Sequence, residues 1–498
     1  MHEIVDSQSL LRTIMSPALT VSSDKSTTNA NAIKAQARPT YILHRTPWRP
    51  PVATRAEGIY IDLEDGRRVI DAVGGAAVAC IGSGNQTVIE AIKAQADELT
   101  YVYNMQLSNG PAEELAKFLI ESGKGAFGLC GFVSGGSEAM EGAIKLARQY
   151  FFETNQPQRV HFIARNLSYH GNTLSTVSLS NNPARRKPYE GILDHEHFHF
   201  VSPAFAKRFQ RSDESEADYV ERLRKELDDK FQELGPGNVI AFVAETVVGA
   251  TTGALPAPTG YFKAMKSVCD KYGALLILDE VMSGMGRMGT MHAWESFGDG
   301  VFPDIQAVAK GLGGGYASIG AVLFSERIAE GIRDHSGLWM HGHTYQAHPL
   351  ACAAALAVQH VISSSNLLEN CRTQGAYLSS LLHSRLQGPN CLARPYTFDI
   401  RGGGLFWGIE FDFTDSDSSV AEKKKLDFKG RPFALAVQAK ALENGLVVMG
   451  FTGCANIEGT RGDHNLLAPP YNVTKDEVEK IVDIFVESVE QVLKEGGA

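Results

Sequence analysis

Three short runs, NVIAFVAE (238–245), ALLILDEV (274–281) and DIQAVAK (304–310), limit what this chain can fold into more than any other feature. Each is largely apolar on both faces, and each delivers a charged residue at or near its carboxyl end: Glu245, Asp279 and Lys310. A strand apolar on both faces must be covered on both sides, as it is in a parallel sheet flanked by helices. The runs GFVSGG (131–136) and RVHFIA (159–164) extend the pattern. The first opens into SEAMEGAIKLARQYFF, where Met140, Ala143, Ile144, Ala147 and Tyr150 recur at helical spacing. The expectation is an α/β fold with a large, doubly wound, mostly parallel sheet domain over residues 80–345.

A second, smaller α+β domain is expected over 346–498, from the helix PLACAAALAVQHVI, the turn RGGG (401–404), the strand LFWGIEF and a closing helix from about residue 474. The stretch GIYIDLEDGRRVIDA (58–72) reads as a hairpin turning at Asp65-Gly66, so residues 36–79 are assigned to the same small domain. Residues 1–35, rich in Ser, Thr, Asn and Ala, read as a flexible tail. The charged segment 208–234 reads as a solvated helix.

A net charge of −10 provides no basic footprint for nucleic acid. No apolar run approaches the roughly 20 residues that span a bilayer, so no membrane association is expected. The seven cysteines are scattered without a CxxC pair, which fits free thiols in a reducing compartment. A cytoplasmic location is the expectation. A mitochondrial presequence is the alternative, disfavoured by Glu3 and Asp6 and by Arg12 standing as the only early arginine.

In an open α/β sheet the ligand crevice lies at the carboxyl ends of the strands, so the polar groups there are expected to converge. SGGSE (134–138) is a glycine turn opening a helix, a place where backbone N–H groups and the helix dipole receive an anion such as phosphate. Its spacing is neither that of a P-loop nor GxGxxG, which argues against a nucleoside triphosphatase or a dinucleotide enzyme. Asp279, at a buried strand end, needs a cationic or donor partner; a structural ion pair, a helix cap or a protonated heterocyclic nitrogen would each serve. A lysine whose pKa is lowered by burial forms a Schiff base with an aldehyde, and Lys310 is placed for that role. Anion loop, ring-nitrogen acid and Schiff-base lysine are the parts that pyridoxal phosphate requires.

The segment LLILDEVMSGMGRMGTMHAWESFGDGVFPDIQAVAKGLGGG (275–315), with Asp279 standing 31 residues before Lys310, resembles the signature of the class III (ω) aminotransferases. The resemblance extends through FVSGGSEAMEGAIKLAR, YHGNT (169–173), AETVVGATTGALPAP (244–258), HGHTYQAHPLACAAALA (341–357) and RGGGLFWGIEF (401–411). It implies pyridoxal-phosphate fold type I and a ping-pong transamination through aldimine and ketimine, from an ω-amino acid or amine to a keto acid such as pyruvate or 2-oxoglutarate. By the same resemblance Gly136 and Ser137 would hold the phosphate, with Thr344 reaching it from a second subunit of a homodimer or tetramer. Tyr169 and Val281 would flank the ring, Asp279 would pair with its nitrogen, Glu245 would support the cofactor by hydrogen bonding, and Lys310 would carry it. A racemase, an aminomutase, a decarboxylase or a catalytically silent relative would share those parts.

Two positions depart from γ-aminobutyrate and ornithine transaminases. VGATT (248–252) stands where they read QGEGG, and Asn465 aligns with their carboxylate-binding arginine. Arg461, in RGDHNLLAPPY, is either a loop arginine in solvent or, by resemblance to ω-amine:pyruvate transaminases, a mobile carboxylate receptor. Tyr101, Tyr103 and Trp339 are candidates for the substrate pocket or for ordinary packing. HEHFH (195–199) would put His195, His197 and His199 on one strand face, but no acidic partner is evident and no metal is expected.

Overall fold

The structure, a computed structural model, describes residues 40–298, 300–414 and 426–498; the tail expected over 1–35 lies outside the described residues. The apolar runs form a seven-stranded sheet ordered Leu129–Val133, Gly320–Phe324, Ile305–Val308, Leu275–Asp279, Val239–Glu245, His161–Arg165, Phe198–Val201. Only Gly320–Phe324 runs antiparallel to its neighbours. The strands Val239–Glu245 and Leu275–Asp279 are buried at every residue, because alternate side chains serve opposite layers. Val243, Ile277 and Ile305 pack with Met140, Ala143, Ile144 and Ala147 of the helix Gly136–Glu153. Phe242, Leu276 and Leu278 pack with Leu223, Leu227, Phe231, Phe262 and Met265 of the helices Glu216–Leu234 and Tyr261–Tyr272. Each such side chain, fully buried, contributes about 1.5–3 kcal/mol relative to exposure.

The helix expected to be solvated over 208–234 differs from that reading. It starts at Glu216 behind a Ser215–Asp218 capping box and buries Tyr219, Val220, Leu223, Leu227 and Phe231. Those apolar positions recur at helical spacing, but the charges between them dominate the composition. Arg208, ahead of the helix, keeps its side chain largely covered and pairs with Glu410 and Asp412.

A four-stranded antiparallel sheet, ordered Thr397–Gly403, Phe406–Phe411, Asp463–Leu467, Met449–Thr452, forms the C-terminal lobe with the helices Leu367–Leu386, Phe433–Glu443 and Lys475–Glu495. RGGG thus lies mostly in a strand rather than a turn, and buried Arg401 bonds Glu410 at 2.6 Å and Asp399 at 3.1 Å. The hairpin Tyr60–Leu63 and Arg68–Asp71 is present, and Arg68–Asp71 pairs in parallel with Leu446–Val447, so the amino-terminal hairpin joins the C-terminal lobe. Arg287 ties the lobes together from within. It is wholly buried, donates to the carbonyls of Leu405 (3.0 Å) and Pro469 (2.6 Å), and lies over the Tyr471 ring. Among the described residues no single helix is long and apolar enough to cross a membrane.

Candidate active site

The parallel strands bring their carboxyl ends to one edge of the large sheet, and the residues there line a cavity of about 380 Å³. Asp279 and Glu245 are direct partners in the strand register, so their carboxylates leave the sheet side by side. Both are buried and occupied. Asp279 Oδ2 lies 2.9 Å from His170 Nδ1, and its Oδ1 accepts the Val281 N–H at 3.0 Å. Glu245 accepts the N–H groups of Tyr169 (3.0 Å) and Gly249 (2.9 Å), which ties the two loops that wall the cavity. Burial, reinforced by the Asp279 charge, holds the Glu245 carboxyl above its ordinary pKa.

Lys310 stands two residues beyond the strand Ile305–Val308, with φ of 45°. A left-handed conformation is uncommon for a residue with a side chain and clusters at functional positions. Its carbonyl accepts the N–H groups of Gly313 (3.1 Å) and Gly314 (2.9 Å), closing a tight turn. Gly314 has φ of 57°, and a Cβ on Gly313 would come within 2.5 Å of the Ala317 carbonyl oxygen, so this turn demands glycine. The Lys310 ammonium has no hydrogen-bond or ion-pair partner among the described residues. Burial lowers its pKa to about 8, against the opposing pull of Asp279 and Glu245 and with help from the charges of Arg287 and Arg185.

Only the neutral form of an amine attacks an aldehyde, so a lysine pKa near 8 has a measurable consequence if Lys310 is the attacking amine. Capture of pyridoxal phosphate by cofactor-free protein should accelerate about tenfold from pH 6 to pH 7 and level off above about pH 8. Stopped-flow absorbance measures this. A rate still climbing steeply at pH 10, as for an ordinary lysine, would show that burial does not act on Lys310.

The helix Gly136–Glu153 points its N-terminus at the cavity, with Gly135 before it and no side-chain cap, leaving backbone N–H groups open to an anion. Ser137 Oγ donates to Asn172 Oδ1 (2.9 Å) and accepts the Asn172 N–H (3.1 Å). A Cβ on Gly136 would come within 2.6 Å of Val281 Cγ1, so only glycine lets the turn close against that side chain. Open helix terminus, unpaired lysine and adjacent buried carboxylate suit the phosphate, aldehyde and ring nitrogen of pyridoxal phosphate in turn.

Fold and donor set together define a pyridoxal-phosphate enzyme of fold type I. The chain belongs to the class III aminotransferases, whose family model matches residues 44–489. It is 44% identical to an uncharacterized aminotransferase of Schizosaccharomyces pombe, over 94% of this chain and 97% of that one. It is 32% identical to a chloroplastic gamma aminobutyrate transaminase of Solanum lycopersicum, over 88% and 80%. The omega transaminase of Pseudomonas jessenii, solved in complex with PMP, superposes with a TM-score of 0.80 at 30% identity, covering 90% of this chain and 94% of that chain. The protein is therefore a pyridoxal-phosphate-dependent aminotransferase acting on amine and keto-acid substrates.

Gly136, Ser137, Tyr169, Glu245, Asp279, Val281 and Lys310 all line the one cavity. Thr344, Tyr103 and Arg461 do not. Thr344 is exposed, and its carbonyl accepts the Tyr101 hydroxyl at 3.0 Å. Tyr103 is exposed, with its hydroxyl on Met105 Sδ. Arg461 is exposed on a loop, its guanidinium 3.4 Å from Thr414 Oγ1. Trp339 lies against Gly131 and Gly142, outside the cavity. Asn465 is fully buried and donates to the Ala434 carbonyl at 3.0 Å, while Ala250 forms part of the cavity wall. His195, His197 and His199 do not share a strand face, because the strand starts at Phe198; His197 pairs with Asp194 and His199 with His161. Among the described residues no group of three or more His, Cys, Asp or Glu side chains is arranged to hold a metal ion.

Sequence reasoning missed the His170–Asp279 bond, Arg185, and the contribution of Met449 and Phe451 from the C-terminal lobe to the wall. It also missed Glu280, which is wholly buried and accepts from Ala293 N, Trp294 N, Thr246 Oγ1 and Gln306 Nε2, with burial pushing its pKa to about 7. Its position inside the DEV run was the one available signal.

Proposed function

We propose that this aminotransferase takes its amino group from an ω-amino acid or amine and delivers it to a keto acid, pyruvate or 2-oxoglutarate. The observation that carries the reading is Lys310, an unpaired half-buried amine held near neutral pKa in the same cavity as Asp279 and an uncapped helix terminus. The substrate class draws on the names of the relatives, an omega transaminase and gamma aminobutyrate transaminases. Ala250 and buried Asn465 leave the cavity without the polar groups that the γ-aminobutyrate pattern would place there.

When bound, pyridoxal phosphate supplies an aldehyde for the incoming amine and a ring that accepts an electron pair. Lys310 Nζ would hold the aldehyde and, once free of it, would serve as the base that moves a proton at the substrate carbon. Asp279, oriented by its 2.9 Å contact with His170 Nδ1, would pair with the ring nitrogen and hold a proton there. Glu245 fixes the Tyr169 and Gly249 backbones, which would leave Tyr169 and Val281 placed to hold the ring between them. The uncapped N–H groups at Gly136 and Ser137 would hold the phosphate.

The active unit in this reading is a homodimer in which Thr344 reaches the phosphate of the other subunit. Exposed Tyr101, Tyr103, Met105, Leu107, Leu338, Met340 and Tyr345 support it, with Tyr101 and Tyr345 in ring contact at 5.9 Å. Exposed large apolar side chains in this number are the kind of surface that association covers.

Mixing the holoenzyme with an amine donor alone should convert bound pyridoxal phosphate stoichiometrically to pyridoxamine phosphate, read by chromatography of the released cofactor. Turnover of the amine with the cofactor left as pyridoxal phosphate would instead assign a racemase, aminomutase or decarboxylase.

A further inference from the structure

The short helix Pro183–Arg186 flanks the cavity and carries two neighbouring arginines that face opposite ways. Arg186 faces inward. It is buried, its Nη1 donates to the carbonyls of Ser178 (3.1 Å) and Ser180 (2.7 Å), and its guanidinium lies over the Phe200 ring. Asn182 caps the helix by accepting the Arg185 N–H at 3.3 Å. These contacts turn Arg185 toward the cavity, with its guanidinium 4.4 Å from the Tyr169 ring centroid. Arg185 is half-buried and has no carboxylate partner among the described residues.

The other charged groups close to the reacting centre are committed. Asp279 is held by His170 and Val281, and Glu245 by Tyr169 and Gly249. Lys310 is reserved for the cofactor. Arg45 also lines the cavity but is exposed on an irregular segment. Neither Asn465 nor Arg461 presents a cation to the cavity. The Arg461 loop instead packs against the arginine helix, where a Cβ on Gly459 would lie 3.2 Å from Pro183 Cγ.

We propose that Arg185 is a specificity-determining residue that receives the substrate carboxylate, so that the enzyme favours amino acids and keto acids over uncharged amines and aldehydes. This rests on the aminotransferase reading above. A guanidinium offers a planar fork matched to a carboxylate, and partial burial strengthens the pair relative to water. The Tyr169 ring face beneath it restricts the guanidinium before substrate arrives. Two different substrates then bind in turn through one shared group, the carboxylate, while their remaining parts face the apolar wall of Ala76, Val78, Met449 and Phe451.

The test compares holoenzymes carrying Arg185→Ala, Arg185→Lys and Arg461→Ala with the unaltered protein. kcat/KM is measured for pyruvate against butanal as acceptors, and for β-alanine against butylamine as donors. Arg185→Ala should lower the ratio of carboxylate-bearing to uncharged substrate about ten- to a hundredfold, mainly through KM; Arg185→Lys should recover part of it, and Arg461→Ala should lower it less. An unchanged ratio in Arg185→Ala, or a drop confined to Arg461→Ala, overturns the proposal. So does weaker pyridoxal phosphate binding by cofactor-free Arg185→Ala with no change in the ratio, which would assign Arg185 to the phosphate. Failure of the aminotransferase reading is seen separately, in the unaltered protein, as no pyridoxamine phosphate from any amine.

Discussion

Lys310→Ala is expected to lower kcat for amino transfer by at least about a thousandfold and to remove the absorbance of the lysine-bound cofactor. The loss should be chemical, not structural. Lys310 holds no partner that its removal would orphan, and alanine meets the same backbone cost as lysine at φ of 45°. The Gly313 and Gly314 N–H groups bond the residue 310 carbonyl, which the substitution keeps. Thermal unfolding should therefore stay close to that of the unaltered protein. A small primary amine added to the variant should restore part of the proton transfer. Turnover within tenfold of the unaltered enzyme would remove Lys310 from its assigned role.

Asp279→Asn is expected to reduce kcat by about two to four orders of magnitude while leaving Lys310 able to hold the cofactor. Breaking a buried charge pair costs about 3–5 kcal/mol, and each 1.36 kcal/mol is about tenfold in rate. The substitution is nearly isosteric, and the asparagine oxygen can accept either the His170 bond or the Val281 N–H, so the carboxyl ends of the strands stay ordered. What it removes is the negative charge that, in the proposed role, would keep a proton on the ring nitrogen. Single-turnover kinetics with an amine donor measure the loss directly. A loss below tenfold would mean that His170 or another group protonates the ring unaided.

Much of this architecture is legible in local pattern. Runs apolar on both faces announce covered parallel strands, and helical periodicity after SGGSE marks Gly136–Glu153. The turn at Asp65-Gly66 marks the hairpin. Patterning fails where polar composition hides an apolar stripe, as in the helix Glu216–Leu234, and where charges separated by hundreds of positions pair. Arg208, Glu410 and Arg401 form one buried network that joins the segment after the last sheet strand, Phe198–Val201, to the C-terminal lobe. No spacing within the chain records it. HEHFH misleads for a related reason: alternation suggests a strand face, but the chain becomes extended only at Phe198.

The amino-acid sequence by itself determined that Lys310 and Asp279 lie at strand ends beside a glycine turn, because burial, alternation and helix initiation are written in neighbouring residues. Only the tertiary structure decided which of two adjacent arginines meets the cavity. In PARRKP nothing local separates Arg185 from Arg186. The choice follows from carbonyl groups at 178 and 180 and a ring at 200 that capture Arg186 and leave Arg185 facing the cavity.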